Sequence, residues 1–118
     1  MPQANLITNV RKPLDRVSVI DLQGEVTGFA EETLMDAYNQ ASNGNTRSII
    51  LNFSDLEYMN SSGIGLLVTL LIRAQRQKQN IMACGLSEHY QQIFELTRLN
   101  EAIGIFDTEN AALQAAEA

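Results

Sequence analysis

Two rhythms of apolar residues alternate along this chain. Val17 to Gln23 is rich in β-branched residues and predicts a strand ending at Gly24. Leu34, Ala37, Tyr38 and Ala41 recur at the i, i+3, i+4, i+7 interval, which predicts an amphipathic helix over 30–41, stopped by Ser42-Asn43-Gly44-Asn45. Arg47 to Phe53 holds the unbroken run Ile49-Ile50-Leu51, the mark of a strand covered on both faces. A loop with two serines follows, then a helix from about Ser62 to Gln77. Ile81 to Leu86 predicts a further strand. Ser87 caps a helix in which Tyr90, Ile93, Phe94 and Thr97 share a face. Ile103 to Phe106 is a short strand, and Thr108 opens an alanine-rich last helix. Residues 5–10 form a candidate first strand before a turn at Arg11-Lys12-Pro13-Leu14-Asp15. Strands alternating with helices specify an α/β sheet domain. No repeat or linker divides the chain, so residues 1–118 read as one domain with a core of about 5–116.

The segment Tyr58-Met59-Asn60-Ser61-Ser62-Gly63-Ile64-Gly65 places two hydroxyls where a loop turns into a helix. Helix first turns carry unpaired N–H groups and the positive end of the dipole, which favours a phosphoryl group there. Capping alone explains the same residues and is the simpler reading from the residues themselves, because Asn60 and Ser61 are both good caps and serines are common at helix starts. Gly63 and Gly65 weaken the helix by roughly 1 kcal/mol each relative to alanine. They allow either close packing of helix on loop or close approach by another molecule. On the helix itself, Ile64, Leu67, Val68, Leu71 and Ala74 share a face at about 100° per residue. Leu66 then falls on the opposite side, near Thr69 and Arg73. There it is either an isolated exposed leucine or an apolar contact for a partner.

The 118 residues carry 8 Lys and Arg against 14 Asp and Glu, a formal charge of −6 that argues against general nucleic-acid or anionic-membrane binding. Arg73, Arg76 and Lys78 read as the solvated end of a helix, favourable at its negative pole. A single cysteine excludes an internal disulfide and is consistent with a reducing compartment. No basic segment leads into an apolar run at Met1 to Asn5, and Ile64 to Ile72 is too short to span a bilayer, so a cytoplasmic location without membrane insertion is expected.

Little catalytic chemistry is on offer, and no cofactor or metal is expected. His89, the one histidine, lies on the polar side of its helix, and Cys84 sits in the apolar strand Met82-Ala83-Cys84 as a small core residue. One His and one Cys cannot assemble a His/Cys zinc cluster, and no G-x-S-x-G elbow surrounds either serine. Gly63-x-Gly65 lacks the third glycine of a dinucleotide site and the Lys-Ser/Thr of a P-loop.

Residues 17–25, Ile49 to Phe53, Asp55-Leu56 and Tyr58 to Leu66 together resemble the STAS domain of the anti-sigma-factor antagonist family. The likeness continues through Cys84-Gly85-Leu86 and Ile93-Phe94-Glu95-Leu96-Thr97 to Ile105-Phe106-Asp107. It implies a small mixed β-sheet with helices packed on it. It also implies a non-enzymatic regulator that works by partner switching. The unmodified antagonist binds an anti-sigma factor that is also a serine kinase; phosphorylation releases it, and a PP2C-type phosphatase restores it. The modified serine of the family corresponds to Ser61. The implied partner face comprises Glu25, Thr27, Met59, Asn60, Ser61, Ser62, Gly63, Ile64 and Leu66. Two family carboxylates are replaced, one by Asn60 and one by Thr27, both still able to cap a helix. An accessory or scaffold subunit of a transporter or sensor assembly, unphosphorylated, is the alternative.

Overall fold

The computed structural model describes residues 5–117; the reading of Met1 to Asn5 as lacking a leader falls mostly outside them. The elements are β1 (Leu6–Leu14), β2 (Val17–Val26), a 3₁₀ turn (Gly28–Ala30), α1 (Glu31–Ala41), β3 (Ser48–Met59), α2 (Ser61–Arg76), β4 (Asn80–Cys84), α3 (Glu88–Leu96), a second 3₁₀ turn (Leu99–Glu101), β5 (Ile103–Phe106) and α4 (Glu109–Glu117). The sheet order is β1-β2-β3-β4-β5, with β1 antiparallel to β2 and every later pair parallel. Each crossover from β2 to β5 therefore steps in the same direction. Right-handed crossovers then put their helices on one face of the sheet. That face buries Ile20, Leu22, Ile49, Leu51, Phe53, Ile81 and Ile103 against Leu34, Leu67, Leu70 and Phe94.

The alternate residues of the same strands point the other way. Val17, Val19, Ile50 and Cys84 form a smaller apolar cluster with Ala112 and Leu113 of α4. Asp21 and Asn52 continue this second face as polar residues. Arg11 donates two hydrogen bonds to Asp21 at 2.8 Å and two more to Glu109 at 2.6 and 3.1 Å, while Asn52 donates to Asp21 at 2.8 Å. The first strand thus clamps the last helix. Hydrogen bonds from Arg11 hold the Asp21 carboxyl down to about 2, against its ordinary 3.8. A depressed folded value gives stability that is complete above the unfolded value and disappears as pH falls through the folded one. We expect urea midpoints to drop between about pH 5 and pH 2, and Arg11→Met to remove part of that drop, on the order of 1 kcal/mol for so solvated a pair. An identical acid profile in the variant would show that the pair is neutral to stability.

Three strands outrun their sequence limits. β1 continues past Val10 through Pro13 to Leu14, so the predicted turn shrinks to Asp15 and Arg16. As an edge strand it tolerates a proline that a central strand would not. β2 passes through Gly24, which takes φ +102 and lets the strand kink rather than stop. β3 runs on to Met59, paired with β2 through Gln23↔Asp55, Gly24↔Leu56, Glu25↔Tyr58 and Val26↔Met59, whereas β4 pairs only with Ser48 to Asn52. The β1 ladder stops at Gly24, and past it Glu25–Val26 and Tyr58–Met59 form a short two-stranded ribbon at the end of the sheet. No helix among the described residues is long and apolar enough to cross a membrane.

Candidate functional site

The ribbon carries the serine loop at its tip. Asn60, with extended backbone (φ −101, ψ −178), accepts the N–H of Gly63 on its side-chain oxygen at 2.9 Å and thereby caps α2. Its own N–H donates to the Val26 carbonyl at 3.3 Å, which ties the loop to the end of β2. With the cap supplied by Asn60, Ser61 begins the helix and has no capping role. Ser61 and Ser62 are both exposed, and no hydrogen bond engages either hydroxyl among the described residues. Thr27 accepts the N–H of Phe29 at 3.3 Å and caps the short turn beside the loop. Gly28 in that turn lies against Ser62: a β-carbon there would sit 3.4 Å from the Ser62 β-carbon.

The two glycines of the segment serve different ends. Gly63 is buried, and a β-carbon there would overlap the Val26 carbonyl oxygen and lie 2.7 Å from its carbon. Its smallness is demanded by this chain's own packing. Gly65 is exposed with nothing near it, on the same side of α2 as Ser61. Val68 and Ile72, at 38% and 44% exposure, continue that side at positions i+7 and i+11 from Ser61.

Glu25, Thr27, Asn60, Ser61 and Ser62 are brought together with their side chains at least partly open to solvent, and Ile64 is half-buried against the core. Met59, Gly63 and Leu66 are buried. The expectation of an exposed Leu66 is overturned. The buried stripe of α2 is Gly63, Leu66, Leu67, Leu70, Leu71 and Ala74, rotated by roughly 70° from the face that periodicity selects. Seven of the nine residues from Ile64 to Ile72 are apolar, so the sequence pattern leaves the phase almost free.

Tyr90 was not singled out for this site, yet its hydroxyl accepts the Met59 N–H at 2.8 Å and so anchors the loop to α3. Phe29 and Tyr58 are 64% and 49% exposed; Tyr58 belongs to the serine segment itself, whereas Phe29 comes near it only through the fold, in the turn whose Gly28 lies against Ser62. Elsewhere, His89 is exposed and Cys84 is buried, with burial pushing its thiol up to about 11, so the thiolate form is scarce near neutrality.

The family model describing the STAS domain matches residues 9–112. The anti-sigma-B factor antagonist of Staphylococcus aureus is 24% identical over 91 residues, covering 77% of this chain and 84% of that one. The phosphorylated form of the Bacillus cell fate determinant SpoIIAA superposes with a TM-score of 0.72 at 23% identity, over 93% of this chain and 99% of that one. A sulfate transporter family protein from Wolinella succinogenes reaches a TM-score of 0.78 at 15% identity, over 91% and 89% of the two chains.

Proposed function

Because this chain belongs to the STAS domain family, we propose that it is a cytoplasmic, non-enzymatic anti-sigma-factor antagonist that switches partners through Ser61. Unmodified, it binds an anti-sigma factor that is also a serine kinase; phosphorylated at Ser61, it is released until a PP2C-type phosphatase removes the group. The observation that carries this reading is the division of labour at the start of α2. Asn60 holds the helix cap, so the Ser61 hydroxyl is open to modification without loss of the cap.

The docking face we assign comprises Thr27, Phe29, Tyr58, Ser61, Ser62 and the Gly65–Val68–Ile72 side of α2. Exposed aromatics and aliphatics give it apolar area, and Gly65 leaves room for a partner backbone. Glu25, Asp55 and Glu57 rim it with negative charge. A phosphoryl group adds about −1.5 to −2 charge. Against an acidic or phosphate-bearing partner surface, such like-charge contact costs several kcal/mol, where 1.4 kcal/mol is already tenfold in affinity. Incubation with the partner kinase, ATP and magnesium should label wild type and leave Ser61→Ala unlabelled. The phosphorylated chain should bind the kinase at least about tenfold more weakly, with an unchanged melting temperature. Label that persists in Ser61→Ala defeats the assignment.

The second reading, an unphosphorylated STAS subunit of a transport or sensor assembly, is favoured by Asn60 and Thr27. Both stand where the family pattern has carboxylates, and both are occupied as caps. A chain that binds its partner equally well as Ser61→Ala and Ser61→Asp would support it.

A further inference from the structure

At the end of the sheet opposite Ser61, Arg16 and Arg47 stand side by side just before the first residues of β2 and β3. The Arg16 carbonyl accepts the N–H groups of Arg47 and Ser48 at 2.8 and 3.1 Å, and Arg47 in turn accepts from Asn80. Both arginines line one cleft of about 220 Å³ with Gly44, Asn45, Thr46 and Gln77. Lys12 reaches its wall, donating to the Thr46 hydroxyl at 3.0 Å. We propose that this cleft is a binding site for a phosphate-type multivalent anion, held by Arg16 and Arg47 with Lys12 in support.

The platform beneath it is rigid. Thr46 donates to the carbonyls of Ala41 and Asn43, while buried Gln79 accepts from Tyr38 and donates to Ser42 and to the Thr46 carbonyl. No buried side-chain nitrogen or oxygen among the described residues is left unpartnered, and the network is satisfied without either arginine side chain. The ion pairs of the described residues are Arg11 with Asp21 and Glu109, and Arg98 with Glu101; Arg16 and Arg47 enter none. Arg16 and Arg47 lie in no helix, and no side-chain hydrogen bond among the described residues engages either guanidinium.

Two effects oppose an anion here. The C-terminal ends of α1 and α2 face this end of the sheet, each worth about half a negative charge. Asp15 precedes Arg16, and Glu117 lies at the end of α4. Against these stand Lys12, Arg16, Arg47, Arg73, Arg76 and Lys78, most of the 8 basic residues of a chain that carries −6 overall. The cations prevail. Paired guanidinium forks match phosphate oxygens in a way that single ammonium groups do not, and the cleft admits a small group rather than a flat polymer.

The full chain is titrated with inorganic pyrophosphate and followed by backbone amide NMR, against sodium chloride at matched ionic strength. The expected result is saturable shifts at residues 44–47 and Gln77 that chloride does not reproduce. Arg16→Gln/Arg47→Gln should weaken binding at least about tenfold with the melting temperature unchanged, because only the backbone of these residues holds the strands. Ser61→Ala should bind pyrophosphate like wild type, which separates this site from the switch. Vesicles carrying phosphoinositide, compared with phosphatidylcholine alone, identify the source. Co-sedimentation that needs both arginines assigns a lipid headgroup, and pyrophosphate binding without it assigns a free anion. Shifts that follow ionic strength alone, or that survive in the double variant, overturn the proposal.

Discussion

Replacing Gly63 with alanine destabilises the domain by about 3 kcal/mol and lowers its melting temperature by roughly 10 °C. The added methyl would meet the Val26 backbone, and neither partner can yield cheaply: Val26 is paired with Met59 in the ribbon, and Gly63 is held by the Asn60 cap. Gly65→Ala, two residues on, does the reverse. Nothing surrounds that position, so the better helix former raises stability by up to about 1 kcal/mol. If the proposed face is right, the same substitution weakens partner binding. Thermal unfolding of the two variants side by side is the measurement, and equal effects would contradict the packing described.

Leu66→Asp unfolds or nearly unfolds the protein, with a loss of about 3–5 kcal/mol. It places a carboxylate without a partner at a site 8% exposed and packed into the main core. Val68→Asp combined with Ile72→Asp keeps the fold, because both side chains lie on the open side of α2, and it abolishes partner binding. Circular dichroism with a kinase-binding assay separates the outcomes. A folded Leu66→Asp chain would mean that the helix is rotated from the orientation described. A double variant that folds and binds normally would move the docking face elsewhere.

The fold was legible where a segment is buried on both sides. Ile49-Ile50-Leu51 could be little else than a central strand, and it pairs with β2 and β4 as expected. The second half of β3 was not legible. Ser54, Asp55 and Glu57 look like loop residues because their exposed side chains are polar; pairing with β2 keeps them in a strand, while Phe53, Leu56 and Met59 turn toward the core out of step with regular strand alternation. The exposed serines at a helix start could be read from residue types and order. The Tyr90 bond to Met59 could not, since it spans 31 residues and depends on where α3 lands. The phase of α2 failed for a third reason: a helix apolar on nearly every side is oriented by what it meets, and the sequence window does not contain that information.

The pairing of Arg11 with Glu109 joins residues 98 apart, so the carboxylate is made well after the guanidinium. Because the strands are laid down in their spatial order, the sheet can assemble as the chain emerges, with each strand docking on the one before it. The face carrying Val19, Ile50 and Cys84 stays bare until α4 arrives. A nascent or truncated chain therefore displays a greasy surface that the finished molecule conceals. Arg11, waiting on β1, fixes α4 in place once that helix docks.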